Sequence, residues 1–211
     1  VVAAGHEGPA GRWWNVTWPG FVGVATAMAP GRFAAAINQP PIRRLTPSCW
    51  LDWALNRPPV WRSRALPPVH LLRRVFDEAR TYTDAKGMLC ETTLAIPAFF
   101  TLAGVEDGEG CVIERGEQLA HVQGAPASIA NHWIAGGGTG HPRGGDSEGR
   151  WRMMEELRDR APGDFSWVQP PILNPTTRLA IVANAARGTL SVQGFEAHGG
   201  KASPATAVFR L

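Results

Sequence analysis

Few residues in this chain of 211 have the type and spacing to do chemistry. Cys49, Cys90 and Cys111 could each supply a thiolate. An odd number at wide spacing makes neither a disulfide framework nor a zinc knuckle. Free cysteine is among the most buried residue types. Each therefore reads as an ordinary buried thiol: Cys49 in a Pro/Trp-rich loop, Cys90 on a helix, Cys111 at the start of an apolar strand. His132 and His141 lie nine residues apart with no Cys or carboxylate at ligand spacing, and H-E-x-x-H is absent, so neither metal nor cofactor is expected. A serine nucleophile would need G-x-S-x-G, which is missing. The glycine-rich run from Gly136 to Gly145 lacks the Gly-Lys-Ser/Thr of a phosphate cradle. What remains is a set of polar residues at expected strand ends, Asn38, Gln39, Asn131 and His132, and Arg150 opening a helix. Amides and a guanidinium can stabilise charge, but they do not make a self-contained catalytic set.

The elements that must position these residues follow from hydrophobic periodicity and turn residues. Trp14–Trp18, Phe21–Thr26 and Phe33–Asn38 read as three strands of an antiparallel meander, with turns at Pro19-Gly20 and Ala29-Pro30-Gly31. Residues 39–68 read as an insertion, because Pro40-Pro41, Pro58-Pro59 and Pro67-Pro68 forbid a continuous element. It should hold one or two short helices, with Trp50, Trp53 and Trp61 pinning it to the core. Val69, Leu72, Val75, Phe76 and Ala79 predict one helix, and Asp84 to about Thr93, capped by Thr83, a second. Ala98–Leu102, Cys111–Glu114, Gln118–Val122 and Ser128–Asn131 read as strands, with a hairpin turn at Asp107-Gly108-Glu109-Gly110. Ser147–Asp159 reads as a helix, and Arg178–Val182, Thr189–Gln193 and Thr206–Leu211 as strands. The sum is a single α+β domain over 1–211 with layered sheets and helices outside.

Composition narrows the function classes. With 44% hydrophobic and 18% charged residues the chain has material for a core and is not intrinsically disordered. No apolar run approaches the roughly 18 residues of a membrane span. The net charge is +3, and only Lys86 and Lys201 among 21 basic residues are lysine, a skew that fits GC-rich coding. Arg73 and Arg74 precede Asp77 and Glu78 by one helical turn, so i,i+4 pairing explains the densest basic stretch and no nucleic-acid partner is expected.

The same polar residues sit where the sequence resembles a known family. Thr17-Trp18-Pro19-Gly20-Phe21-Val22-Gly23-Val24, then Met28-Ala29-Pro30-Gly31-Arg32-Phe33 and the strand to Asn38, resemble the early hairpin of acid ceramidases and N-acylethanolamine acid amidases. Ala95-Ile96-Pro97-Ala98-Phe99-Phe100, with Gly108-Glu109-Gly110-Cys111-Val112-Ile113-Glu114-Arg115, resembles the family's helix-to-strand passage. Ala130-Asn131-His132-Trp133 is similar to its Asn-centred turn, Asp146-Ser147 with Arg150 to its Asp-x-x-Arg helix start, and Pro171 to Val182 to a later strand. The wider group includes penicillin V acylase and bile-salt hydrolases.

The resemblance implies an N-terminal-nucleophile hydrolase: a four-layer αββα sandwich of antiparallel sheets, here incomplete at its N-terminus. It implies hydrolysis of an N-acyl amide, a fatty-acyl chain being one option, by a cysteine at the mature N-terminus through a thioester. Asn131 matches the family's oxyanion asparagine and Arg150 its active-site arginine, while Asn38, Gln39, His132 and Trp133 fall at substrate-binding positions. Gln39 stands where these enzymes carry a glutamate, so the charge at that position is lost. The family's cysteine should lie well before Trp18, where this chain has 17 residues and no match, and the chain opens on Val1 without Met. The expectation is a truncated chain, inactive alone, whose nucleophile lies upstream. A non-catalytic binding relative and an acyltransferase of the same superfamily stay open as alternatives. The amide substrate, homo-oligomer formation and the compartment, cytoplasmic or exported, stay open too.

Overall fold

Strand β1 (Val2–Gly8) turns at Pro9-Ala10 into β2 (Gly11–Thr17), in register from Val2 opposite Thr17 to Gly8 opposite Gly11. The computed structural model that shows this describes residues 1–138, 140–158 and 163–211. β3 (Thr26–Ala29) and β4 (Phe33–Asn38) complete the meander, closed by Gly31 at φ 71°. Residues 39–67 then leave the sheet and carry β5 (Ile42–Arg43), α1 (Cys49–Leu55) and α2 (Arg57–Arg62). Helices α3 (Pro68–Glu78) and α4 (Tyr82–Glu91) follow, and the chain re-enters the sheet as β6 (Ala98–Ala103), β7 (Gly110–Arg115) and β8 (Ala120–Gly124). Beyond lie β9 (Gly140–His141), α5 (Ser147–Leu157), β10 (Leu179–Asn184), β11 (Thr189–His198), β12 (Lys201–Pro204) and β13 (Phe209–Arg210).

The large sheet has the order β1-β2-β3-β4-β6-β7-β8, every neighbour antiparallel. Alternation along each strand gives it two apolar faces. One presents Trp13, Ala27, Phe33, Phe100 and Ile113 to Leu71, Leu72, Val75 and Phe76 of α3 and Ala85 and Leu89 of α4. The other presents Val16, Met28 and Ala34 to Leu190 and Val192 of a second antiparallel sheet, built from β10 to β13. Helices, sheet and sheet thus stack as three of the expected layers.

Packing rather than capping holds α3. Its N-cap is Pro67, with no side-chain bond to the first turn, yet four of its side chains are fully buried. At about 1.5–3 kcal/mol per buried large apolar side chain this outweighs a missing cap. Its C-terminal carbonyls have a partner in Arg32, which donates to Phe76 O and Ala79 O. α4 is capped at both ends. Thr81 and Asp84 form a capping box, and Arg115, fully buried on β7, donates to the carbonyls of Leu89 and Thr92 and to Leu119 O.

Several sequence expectations are corrected. Residues 21–25 are not strand; Asn15 Nδ2 donates to Gly23 O and Val24 N to Val69 O, so this stretch binds side chain and helix instead of a ladder. The cap of α4 is Thr81, not Thr83, because only Thr81 is extended and paired with Asp84. Residues 128–131 are not strand either. Trp50 and Trp61 are 82% and 76% exposed and do not pin residues 39–68 to the core; Arg57 stacks on Trp53 instead. Cys49 is exposed and Cys90 half-buried, so only Cys111 fits the buried-thiol reading. The α5 expectation holds to Leu157, and its last residue, 159, lies outside the described residues. β1, β5, β9 and β12 were not anticipated. The pairs Arg73–Asp77 (3.8 Å) and Arg74–Glu78 (3.0 Å) are as expected.

Candidate functional site

Register brings three side chains into one row. Asn38 on β4 lies opposite Phe99 on β6, which lies opposite Glu114 on β7. Directly opposite residues share a face. This is the face that further along packs on the second sheet, and here a loop covers it instead. Asn38 Nδ2 donates to Ala130 O at 3.0 Å and Ile129 O at 3.3 Å. Phe99 meets the Trp133 ring edge-on at 4.8 Å. The Glu114 carboxylate, 3% exposed, accepts from Ile134 N (2.9 Å) and Ala135 N (3.0 Å). Residues 129–135 are thus held across the sheet by side chains, which satisfies their backbone without a ladder.

Fixing the loop aims Asn131 and His132 at the start of α5. Asp146, in the left-handed region at φ 44°, caps that helix by accepting from Gly149 N at 3.0 Å. A Cβ on Gly149 would lie 2.3 Å from that carboxylate, so only glycine fits this cap. Ser147 Oγ accepts from Asn131 N at 2.8 Å and lies 2.8 Å from His132 Nδ1, and the His132 ring meets Trp151 edge-on. Arg150 donates to Asn131 Oδ1 at 3.1 Å and to Gly145 O at 3.0 Å. Asn131 Nδ2 donates to the main-chain oxygen of Gln39 at 2.7 Å. These partners fix the amide's orientation. Arg150 has only donors and must face oxygen, while the Gln39 carbonyl only accepts and must face nitrogen. Among the described residues the second Asn131 N–H has no partner. Burial lowers the Arg150 pKa, opposed by Asp146.

Gln39 links this polar cluster to a cavity of about 970 Å³ between residues 39–60 and the 133–143 loop. Gln39, Arg143, Glu114 and Trp133 line it beside Pro40, Ile42, Val60, Ile96 and Leu119. The wall is mostly apolar with a few convergent polar groups, as small-molecule sites are. Among the described residues no three His, Cys, Asp or Glu side chains group as metal ligands.

A buried clasp shapes one side of the cavity. Asp52 on α1 is fully buried; its Oδ2 accepts from Leu45 N (2.8 Å) and Thr46 N (3.0 Å) and lies 2.8 Å from His141 Nε2 on β9. Beside it β5 pairs with β9, where a Cβ on Gly140 would lie 2.6 Å from Ile42 O. Burial pushes the Asp52 carboxyl up, but hydrogen bonds from Thr46, Leu45 and His141 outweigh it and hold it below the ordinary carboxylate range. A depressed native pKa stabilises above the unfolded value near 4, and the contribution is lost as pH falls through the lower native value. The clasp should therefore hold at neutral pH and release only in strong acid. Asp52→Ala should release it already at pH 7, read as faster tryptic cleavage after Arg43 and Arg44. Unchanged cleavage would show that β5–β9 pairing suffices alone.

Of the residues expected from sequence, Asn131, Arg150 and Gln39 meet directly and His132 joins through Ser147. Asn38 positions the loop, and Trp133 lines the cavity. Arg150 bonds to Asn131. Sequence reasoning missed Ser147, Arg143, Glu114 and the Asp52–His141 clasp. Glu114 carried a signal, as a carboxylate inside an otherwise apolar strand.

No family model matches the chain. Its sequence is similar to acid ceramidases: 33% identical over 100 residues to those of Homo sapiens and Heterocephalus glaber, and 30% over 103 to that of Bos taurus. Each match covers 47% of this chain and 24% of the relative, so the chain spans about a quarter of the length of the curated relatives it matches. Its fold is similar to a solved Caenorhabditis elegans N-acylethanolamine-hydrolyzing acid amidase ortholog, with TM-score 0.53 and 16% identity over 86% of this chain and 74% of that one.

Proposed function

This chain is acid ceramidase-like in sequence and has the antiparallel-sheet fold of an N-terminal-nucleophile hydrolase, and from that premise we propose that it is part of an amidase cleaving the C–N bond of an N-acyl amide. The observation that carries the reading is the Arg150–Asn131–Gln39 chain of hydrogen bonds beside the cavity. It holds one amide N–H of Asn131 in a set direction, which is what stabilising a developing oxyanion requires.

In this reading the nucleophile is a cysteine outside these 211 residues. Its thiol proton passes to its own α-amine, whose pKa is near 8. The thiolate adds to the amide carbonyl, and the oxygen takes up the electron pair beside Asn131 Nδ2. Collapse breaks the C–N bond, the amine leaves with the proton, and water then hydrolyses the thioester to the free acid. Burial raises the Cys90 and Cys111 thiols, and Cys111 lies on the helix-facing side of the sheet, away from Asn131.

The test is a fluorogenic fatty amide assay on the polypeptide extended with the coding sequence upstream of Val1, before and after thiol alkylation. Acid release abolished by alkylation is expected. Turnover that survives alkylation overturns the cysteine route, and no turnover across acyl lengths overturns the amidase.

A further inference from the structure

Arg143 is a cation facing the cavity without an anion. Its guanidinium donates to the neutral Oε1 of Gln39 at 2.9 Å, and its buried Nε has no partner among the described residues. No Asp or Glu oxygen lies within 4.0 Å of it among those residues. Burial lowers its pKa, opposed by Cys49. A half-buried guanidinium that meets only a neutral amide keeps most of its charge uncompensated.

Among the described residues, no carboxylate around the cavity supplies the missing anion. Both oxygens of Glu114 are taken by the Ile134 and Ala135 amides. Glu117 lies at the β7–β8 turn, Arg43 and Arg44 are exposed, and His121 is on the edge strand. Gln39 sets where an anion would sit. Its main-chain oxygen holds Asn131 and its side-chain oxygen holds Arg143, so the free Asn131 N–H and the Arg143 fork lie on two sides of one residue.

We propose that the cavity takes an N-acyl amide whose amine portion carries a carboxylate, an N-acylated amino acid, with the carboxylate on Arg143 and the acyl chain along Pro40, Ile42, Val60 and Ile96. This rests on the amidase reading and names its substrate class. In an N-acyl amino acid the carboxylate is one carbon from the amide nitrogen, and here Asn131 and Arg143 are both held by Gln39. A planar fork suits a carboxylate bidentately, and such bonds are about twice as strong as neutral ones.

The experiment titrates this chain, at low salt, with N-octanoylglycine and with neutral N-octanoylethanolamine, by calorimetry. The glycine conjugate should bind at least tenfold more tightly, and Arg143→Gln should abolish that preference while retaining the ethanolamide affinity. Equal affinities overturn the inference but leave the amidase reading standing. A preference that persists in Arg143→Gln also overturns it, since Arg43 and Arg44 would then carry the anion. Binding of neither probe overturns the cavity as the amide site and the amidase reading with it.

Discussion

Arg115→Met should cost the protein about 3 kcal/mol or more of stability, the largest effect expected of any single substitution outside the apolar core. Arg115 is fully buried, and among the described residues it forms no ion pair. Its guanidinium instead satisfies the Leu89 and Thr92 carbonyls at the end of α4 and the Leu119 carbonyl at the β7–β8 turn. Methionine fills similar volume but leaves the Leu89 and Thr92 carbonyls without this donor, at about 1–3 kcal/mol each where they stay dry, while Leu119 O keeps Gly116 N as a donor at 3.0 Å. For a chain of this length that is a fall of about 6–12 °C in Tm, read by circular dichroism. Arg115→Lys should recover less than half, because an ammonium cannot fork to three separated oxygens. A methionine variant melting within about 2 °C of the parent would show that water reaches these carbonyls and that Arg115 is dispensable. The consequence reaches the candidate site, since Glu114 next to it faces the opposite way and holds the 134–135 backbone.

In the upstream-extended polypeptide, Asn131→Ala should lower kcat by about 10²–10³ with little change in KM. That is the usual cost of deleting one oxyanion donor. The substitution removes the amide that joins Gln39 O to Arg150, so the variant must also be shown to melt normally. Arg150→Gln probes positioning. Glutamine can also accept, so it no longer forces the Asn131 oxygen toward α5. A smaller fall in kcat is expected, with the KM for the ethanolamide unchanged. A stable Asn131→Ala enzyme that keeps more than a tenth of its kcat would remove Asn131 from the chemistry and leave it as a loop anchor.

How much was legible in the sequence depends on how local each signal was. The stripe of Leu72, Val75 and Phe76 predicts α3 because i, i+3 and i+4 residues meet on one helix face regardless of the rest of the chain. Phe33–Asn38 predicts β4 to the residue, since its turn at Pro30-Gly31 is a local matter too. The 128–131 stretch looked like a strand by residue type. Its backbone is satisfied by Asn38 and Ser147, which are far away in sequence, so no local pattern could reveal it. The tryptophans of 39–68 misled for the opposite reason. Aromatic content says a side chain can be buried, while exposure depends on what tertiary neighbour arrives, and Trp50 and Trp61 stay exposed.

For the site, the sequence alone determined the inventory: three thiols without a partner, no ligand spacing for a metal, and Asn131 and Arg150 as the polar residues worth following. Residue types and short spacings are enough for that. Only the tertiary structure decided that Arg150 meets Asn131 rather than Asp146, that Gln39 serves two partners through two different oxygens, and that Arg143 faces the cavity uncompensated. These are contacts across 19, 92 and 104 residues. The sheet register and the covered loop bring them within 3.1 Å or less, and hydrogen-bond direction then leaves one orientation for each group.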